Sequence, residues 1–461
     1  MDDSDSLVDF IGAIARPDPD QKTDAALASA PPGAALTRIA FRAGRVGLLD
    51  PSSPRGAAWS RVLDSLHQSQ APAYVEIDPV NAHITQVLIP YVVGVGPITP
   101  IDNGVEVELI ISHARHYLRK SHPQFDRLLA RLSAAQASGA RVAVTETPLG
   151  HDIIDVTDLP GGSGHLTGPG EAAAPESAPE SAPDIGEGDV GPAALAPIPF
   201  WQAQQLFDQM NAHVCCPAGA APPCIAFNFP DDGCWGRAHE MVRLMGNAGV
   251  QADKVWIFGS LVVRTANNPY CEVHWGWHVA PTLLVDSGGR HEIYVIDPAL
   301  FPGPVPQATW AGVQGDPHPV LIASPGSVFY RNQSGSIIQT DPTFSQTNAV
   351  LTTYRNDLLL RAAGSSGPPP YPACLPGKPG LQFYGTIAAG ATHSWFTYGW
   401  PAHWHVLWTL MPLTTCAGAP QLKWRIRVER ANATEATYWI VVTNTSSATV
   451  RFEGRYDIVG A

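Results

Sequence analysis

Residues 233–245 read GCWGRAHEMVRLM. They leave a loop containing Asp231 and Asp232 and open a helical pattern. Ala238, Met241, Val242 and Met245 form one apolar face, and Gly246-Asn247-Ala248-Gly249 ends it. With Asp231 or Asp232 as the expected cap, Cys234 falls in the first turn. There the unpaired N–H groups and the positive end of the helix dipole favour a thiolate. The same N–H groups can stabilise the oxyanion formed when that thiolate attacks a carbonyl. The thiol is therefore expected to ionise below the free-cysteine value of about 8.5.

A thiolate nucleophile needs a histidine as base and a carboxylate or amide to orient it. The stretch HWGWHVAP, 274–281, offers His274 and His278, four apart on a strand and so expected on one face. The stretch YVIDPAL, 294–300, places Asp297 at the end of the next strand. Asp286-Ser287-Gly288-Gly289 forms the hairpin turn between them, which brings Asp297 within range of either histidine. Asp286 itself is accounted for by the turn. A cysteine at a helix start facing a His and an Asp on neighbouring strands is the layout of papain-like and transglutaminase-like enzymes.

The chain has 461 residues, enough for several domains. Asp and Glu number 41 against 28 Lys and Arg, which disfavours a nucleic-acid partner. No apolar run is long enough for a membrane span. The N-terminus carries acidic residues where a Sec-type signal peptide carries basic ones, so the expected location is cytoplasmic, or outside by a non-classical route. The seven cysteines leave at least one unpaired if the rest are oxidised. Cys215, Cys216 and Cys224 fit no standard zinc spacing, and neither a metal nor an organic cofactor is expected.

The expected organisation is multidomain α+β. Residues 1–34 read as a disordered tail. Residues 35–158 read as a small α+β module with strands at AYVEID, HITQVLIPYVVGV and VEVELIISHA, and a turn at Asp102-Asn103-Gly104. Its helix follows Ser121, the candidate cap, and the strand ARVAVTE closes it. His113 and His116 read there as surface or core histidines. Residues 159–199, with the repeated APES, read as a Pro/Ala/Gly linker. Residues 200–365 form the catalytic unit, with strands KVWIFGSLVV, CEVHWGWHVAPTLLV and HEIYVIDP and a closing helix at SQTNAVLTTYRNDLLLRAAG. Residues 366–380 are a Pro-rich connector. Residues 381–461 read as an antiparallel β-sandwich whose Trp residues are assigned to its core rather than to a ligand platform.

Taken in order, GCWGRAHEM, KVWIFG, WGWHVAP and YVIDPAL resemble the protein-glutaminase family. The likeness spans roughly residues 200–345. It implies a transglutaminase-like α+β catalytic core and deamidation of protein-bound glutamine through a thioester. Position by position, it puts the nucleophile at Cys234, the base at His278 rather than His274, and the acid at Asp297. It also implies protein or peptide substrates with exposed glutamine, no cofactor, and export with a signal and propeptide, neither of which is evident. Three competing readings are a transglutaminase, a papain-like cysteine protease, and a binding or scaffold protein with a vestigial triad.

Overall fold

The computed structural model describes residues 6–16, 36–159, 195–286, 288–371, 374, 380–413 and 419–459. It is a mixed α/β chain of several sheets and few helices. Among the described residues, no helix is long and apolar enough to cross a membrane.

Residues 6–15 are not a tail. They form the strand Ser6–Ala15, central in a five-stranded sheet between Thr37–Phe41 and Pro72–Ile77. Phe10 and Ile11 are buried, and that burial outweighs the Ala-, Pro- and Asp-rich composition that suggested disorder. Helix α1, Pro54–Gln68, covers this sheet with Trp59, Val62, Leu63 and Leu66. Ser53 caps it by accepting the Gly56 N–H at 3.0 Å. Helix α2 runs from Phe125 to Ser138, starting later than a Ser121 cap would have it, and Gly139 ends it in the left-handed conformation. It packs on the hairpin Val95–Ile101/Gly104–Leu109, and Asp102-Asn103 make the turn.

Residues 160–194 of the expected linker lie outside the described residues. Ile198–Pro199 then pairs in parallel with Val285 and Asp286, and helix α3 spans Phe200–Ala212. Helix α4, Cys234–Asn247, packs against a sheet whose order is Val305–Pro306, His291–Val295, Glu272–Asp286, Asp253–Arg264 and Val320–Ser324. The short helix α5, Gln307–Gly312, contributes the buried Trp310. Helix α6, Ser345–Ala363, crosses behind α4 and also meets α1.

The zinc spacing is answered by covalent chemistry. Cys215 is disulfide-bonded to Cys224, Cys216 is also disulfide-bonded, and Cys271 joins Cys374. Among the described residues, Cys234 is the free thiol, and it is buried. Two three-stranded antiparallel sheets follow. One holds Leu381–Ile387, Val450–Val459 and His405–Pro412; the other holds Thr392–Pro401, Glu435–Asn444 and Leu422–Arg430. Trp400, Trp408, Ile440 and Phe452 fill the space between them. Trp424 and Trp439 are exposed, so not every Trp there is core.

Candidate active site

Cys234 opens α4, but neither Asp231 nor Asp232 caps it. The N-cap is Gly233, at φ 82°. A Cβ there would lie 2.2 Å from the Tyr354 ring, so close approach and left-handed backbone both demand glycine. Gly233→Ala is expected to cost about 2–5 kcal/mol, combining left-handed strain with overpacking, and urea denaturation measures it.

The two aspartates are freed for other work. Asp231 is buried in a two-pronged pair with Arg361 at 2.6 and 2.9 Å. Asp232 Oδ1 accepts from the Gly233 and His113 backbone N–H groups, and its Oδ2 accepts from the Ser112 and Tyr354 hydroxyls, both at 2.7 Å.

The two histidines do not share a face. Phe258 pairs with Trp277 and Leu261 with Trp275, so Gly259 and Ser260 together oppose Gly276, a β-bulge. Across it the side-chain phase of the Glu272–Asp286 strand slips. Trp275 and Ala280 enter one core cluster, while Trp277 and Val279 enter the one on the other side. His278 goes with Trp275, stacking on it at 4.5 Å between ring centroids. His274 points outward, its side chain 46% exposed, and meets Glu272 at 3.0 Å.

His278 Nε2 lies 2.8 Å from Asp297 Oδ2, which also accepts from Trp310 Nε1 at 2.9 Å. Burial opposes ionisation of Asp297, but His278 and these hydrogen bonds prevail and hold its carboxyl below the ordinary range. With the proton on Nε2, His278 presents Nδ1 as an acceptor, and Nδ1 is buried without a hydrogen-bond partner. The Cys234 sulfur and ring nitrogens of His278 and His113 lie within 4.8 Å of one another. A thiol, two imidazoles and a carboxylate are thereby brought together.

His113 was not legible as a member of this group. After Gly104–Leu109 the chain leaves its sheet and residues 110–115 lie across the thiol. The Gly276 N–H donates to the His113 carbonyl at 2.9 Å, Ala114 bridges to Trp275, and the ring of His113 stacks on His278. Arg115 donates to Ser260 Oγ at 3.1 Å. Covered in this way, Cys234 does not show the depressed pKa expected of a helix start. Burial pushes the thiol well up, Asp232 and Asp297 add to it, and Arg237 and the Val279 N–H do not compensate. Arg237, one turn along α4, is a second residue that sequence reasoning missed.

Two titratable pairs lie near the seam between this cover and α6. The Tyr91 hydroxyl donates to Asp357 at 3.1 Å. The partly exposed Asp357 is pushed up to about 7, chiefly by burial. His151 is raised to about 9, because Glu146 outweighs the opposing burial. Both folded values lie above the unfolded ones, so each contribution is complete below its unfolded pKa and is lost as pH rises, the first towards about 7 and the second through about 9. Urea denaturation of the full chain should accordingly show lower stability near about pH 9 than near about pH 5.5.

A buried thiol, imidazole and carboxylate are thus gathered on a sheet-and-helix core. Residues 203–314 match a glutaminase family model. A crystal structure of protein-glutaminase is 30% identical, with 41% of this chain and 100% of that chain covered and a TM-score of 0.31. The NMR structure of protein-glutaminase from Chryseobacterium proteolyticum is 30% identical over 38% of this chain and 94% of that one, with a TM-score of 0.31. A crystal structure of pro-protein-glutaminase is 23% identical over 62% of this chain and 99% of that chain, with a TM-score of 0.42. No curated protein matches. The chain belongs to the protein-glutaminase family, hydrolases that deamidate glutamine in proteins.

Proposed function

We propose that this chain converts glutamine side chains of proteins or peptides to glutamate, with Cys234 as nucleophile, His278 as general base and acid, and Asp297 as the group that orients His278. The observation that carries this reading is the His278 ring: Nε2 is held by Asp297, Nδ1 is buried without a partner, and a ring nitrogen lies within 4.8 Å of the Cys234 sulfur.

His278 Nδ1 takes the thiol proton as sulfur attacks the carboxamide carbon. The resulting oxyanion is met by the Cys234 backbone N–H at the helix start. The tetrahedral adduct collapses, the imidazolium delivers its proton to the departing nitrogen, and ammonia leaves a thioester. Water then gives a proton to His278 and attacks the same carbon, which releases glutamate and regenerates the thiol.

In this reading residues 200–365 form a transglutaminase-like catalytic unit, and the α+β module ending near 158 covers it. The tether expected over 160–199 ends before Ile198–Pro199, which belongs to the catalytic sheet, and 381–461 is a separate β-sandwich. Residues 110–115 occupy the space a substrate needs, so the cover must leave before turnover. The test is ammonia release from a glutamine-rich protein with mass spectrometry of the product. Gln→Glu conversion supports the reading. Cross-linking to added amine without hydrolysis, or backbone cleavage, would overturn it in favour of a transglutaminase or a protease.

A further inference from the structure

We infer that His113, Cys234 and His278 form a zinc site that latches residues 110–115 over the candidate nucleophile. The inference uses two residues of the proposed triad and rests on that reading only for its consequence, inhibition.

The geometry is that of prepared metal ligands. The three ligand atoms lie within 4.8 Å of one another and all three residues are buried. Each histidine has its other ring nitrogen already engaged. His113 Nδ1 meets the Trp277 carbonyl at 3.1 Å, and His278 Nε2 meets Asp297 at 2.8 Å. A ligating histidine almost always donates its second N–H to a backbone carbonyl or a carboxylate, which fixes tautomer and ring direction. Here that leaves His113 Nε2 and His278 Nδ1 as the acceptors, and both are buried without a hydrogen-bond partner. Two desolvated lone pairs and a thiol facing one space are costly unless something binds them.

One thiolate and two imidazoles suit zinc, and the set leaves a fourth position for water or for Asp232, whose Oδ1 is 3.3 Å from His113 Nε2. Bonds of about 2.0–2.1 Å to nitrogen and about 2.3 Å to sulfur place tetrahedral ligand atoms roughly 3.3–3.6 Å apart, so the three groups close by about 1 Å or a little more. His113 sits on a loop that can supply the movement. On binding, the thiol releases its proton to solvent and the thiolate cancels one of the two metal charges. Asp232 and Asp297 offset the remainder, and Arg237 opposes it.

The other His and carboxylate cluster, His116, Glu146 and His151, lacks this preparation. Both histidines spend Nδ1 on the Glu146 carboxylate, and His116 Nε2 contacts Ser112 Oγ.

A zinc-bound Cys234 is no longer a free nucleophile, and a coordinated His278 Nδ1 cannot accept its proton. His113 would in turn be tied to both. Chelation would then loosen the cover without any cut in the chain.

The test is metal analysis of the full-length chain after equilibrium dialysis against zinc, with cobalt(II) as spectroscopic probe. About one zinc per chain is expected, and the cobalt form should show a sulfur-to-metal charge-transfer band. Cys234→Ser should abolish that band. His113→Ala should weaken binding by at least about 100-fold, since losing a mere outer partner already costs 10- to 100-fold. The exposed His274→Ala should change neither. No retained zinc, cobalt bound without the sulfur band, or unaltered affinity in His113→Ala would each overturn the latch. Ammonia release by the metal-free, uncovered catalytic unit is scored separately. Activity there without zinc on the full chain sinks only the latch, and zinc without activity sinks only the deamidase reading.

Discussion

His278→Ala, assayed after the cover has been removed, should lose about 10⁶-fold in deamidation rate, and Cys234→Ala should lose as much, because nucleophile and base act as one unit. Asp297→Ala should cost about 10⁴-fold, since the carboxylate orients the ring and stabilises the imidazolium without exchanging protons. The Trp310 N–H, which shares the Asp297 oxygen, would then lack its acceptor, so part of that loss reflects ring placement. His274→Ala should keep most of the activity. Its imidazole is outward and paired with Glu272 on its own strand. The discriminating measurement is kcat for all four variants, with folding checked by near-UV dichroism. A folded His274→Ala as inactive as Cys234→Ala would move the base to His274 and refute the assignment.

The second large effect concerns access. Cys234 is 1% exposed and lies beneath residues 110–115, so the intact chain should alkylate slowly and release little ammonia. If the open arrangement holds about 0.1–10% of the population, removing the cover raises both rates by about 10- to 1000-fold. A site-specific protease cut placed between residues 160 and 194, followed by separation of the two pieces, produces the required form. The two readouts should rise together. Full iodoacetamide reactivity before the cut would show that the segment does not guard the thiol. The thiol pKa should also fall on release, because burial is what raises it and the helix start and Arg237 then act on a solvated sulfur.

Much of the catalytic region was legible one residue at a time. The apolar face of α4, its glycine-rich end and the first-turn position of Cys234 follow from a 3.6-residue period and stop signals, which are local properties. The Asp286–Gly289 turn was legible for the same reason: Asp286 accepts the Gly289 N–H at 2.7 Å. Strand alternation likewise marked Asp253–Arg264 and Glu272–Asp286. What failed were inferences that needed more than one strand. Strict alternation put His274 and His278 together, but a single residue of slip opposite Gly276 separated them, and the slip is visible only in how Phe258 and Leu261 pair. The N-terminal strand failed similarly, because its composition resembles a tail until Pro72–Ile77 and Thr37–Phe41 bury Phe10 and Ile11.

The sequence by itself therefore determined which residues could serve as thiol, base and acid. It also determined the periodic elements that carry them, because cap, turn and amphipathic signals act over a few bonds. Only the tertiary structure decided that a bulge turns His274 away from His278, how strongly burial raises the thiol pKa, and that His113 joins the group. Each of these depends on contacts between segments far apart in the chain, and above all on residues 110–115 lying over Cys234, more than a hundred positions further on.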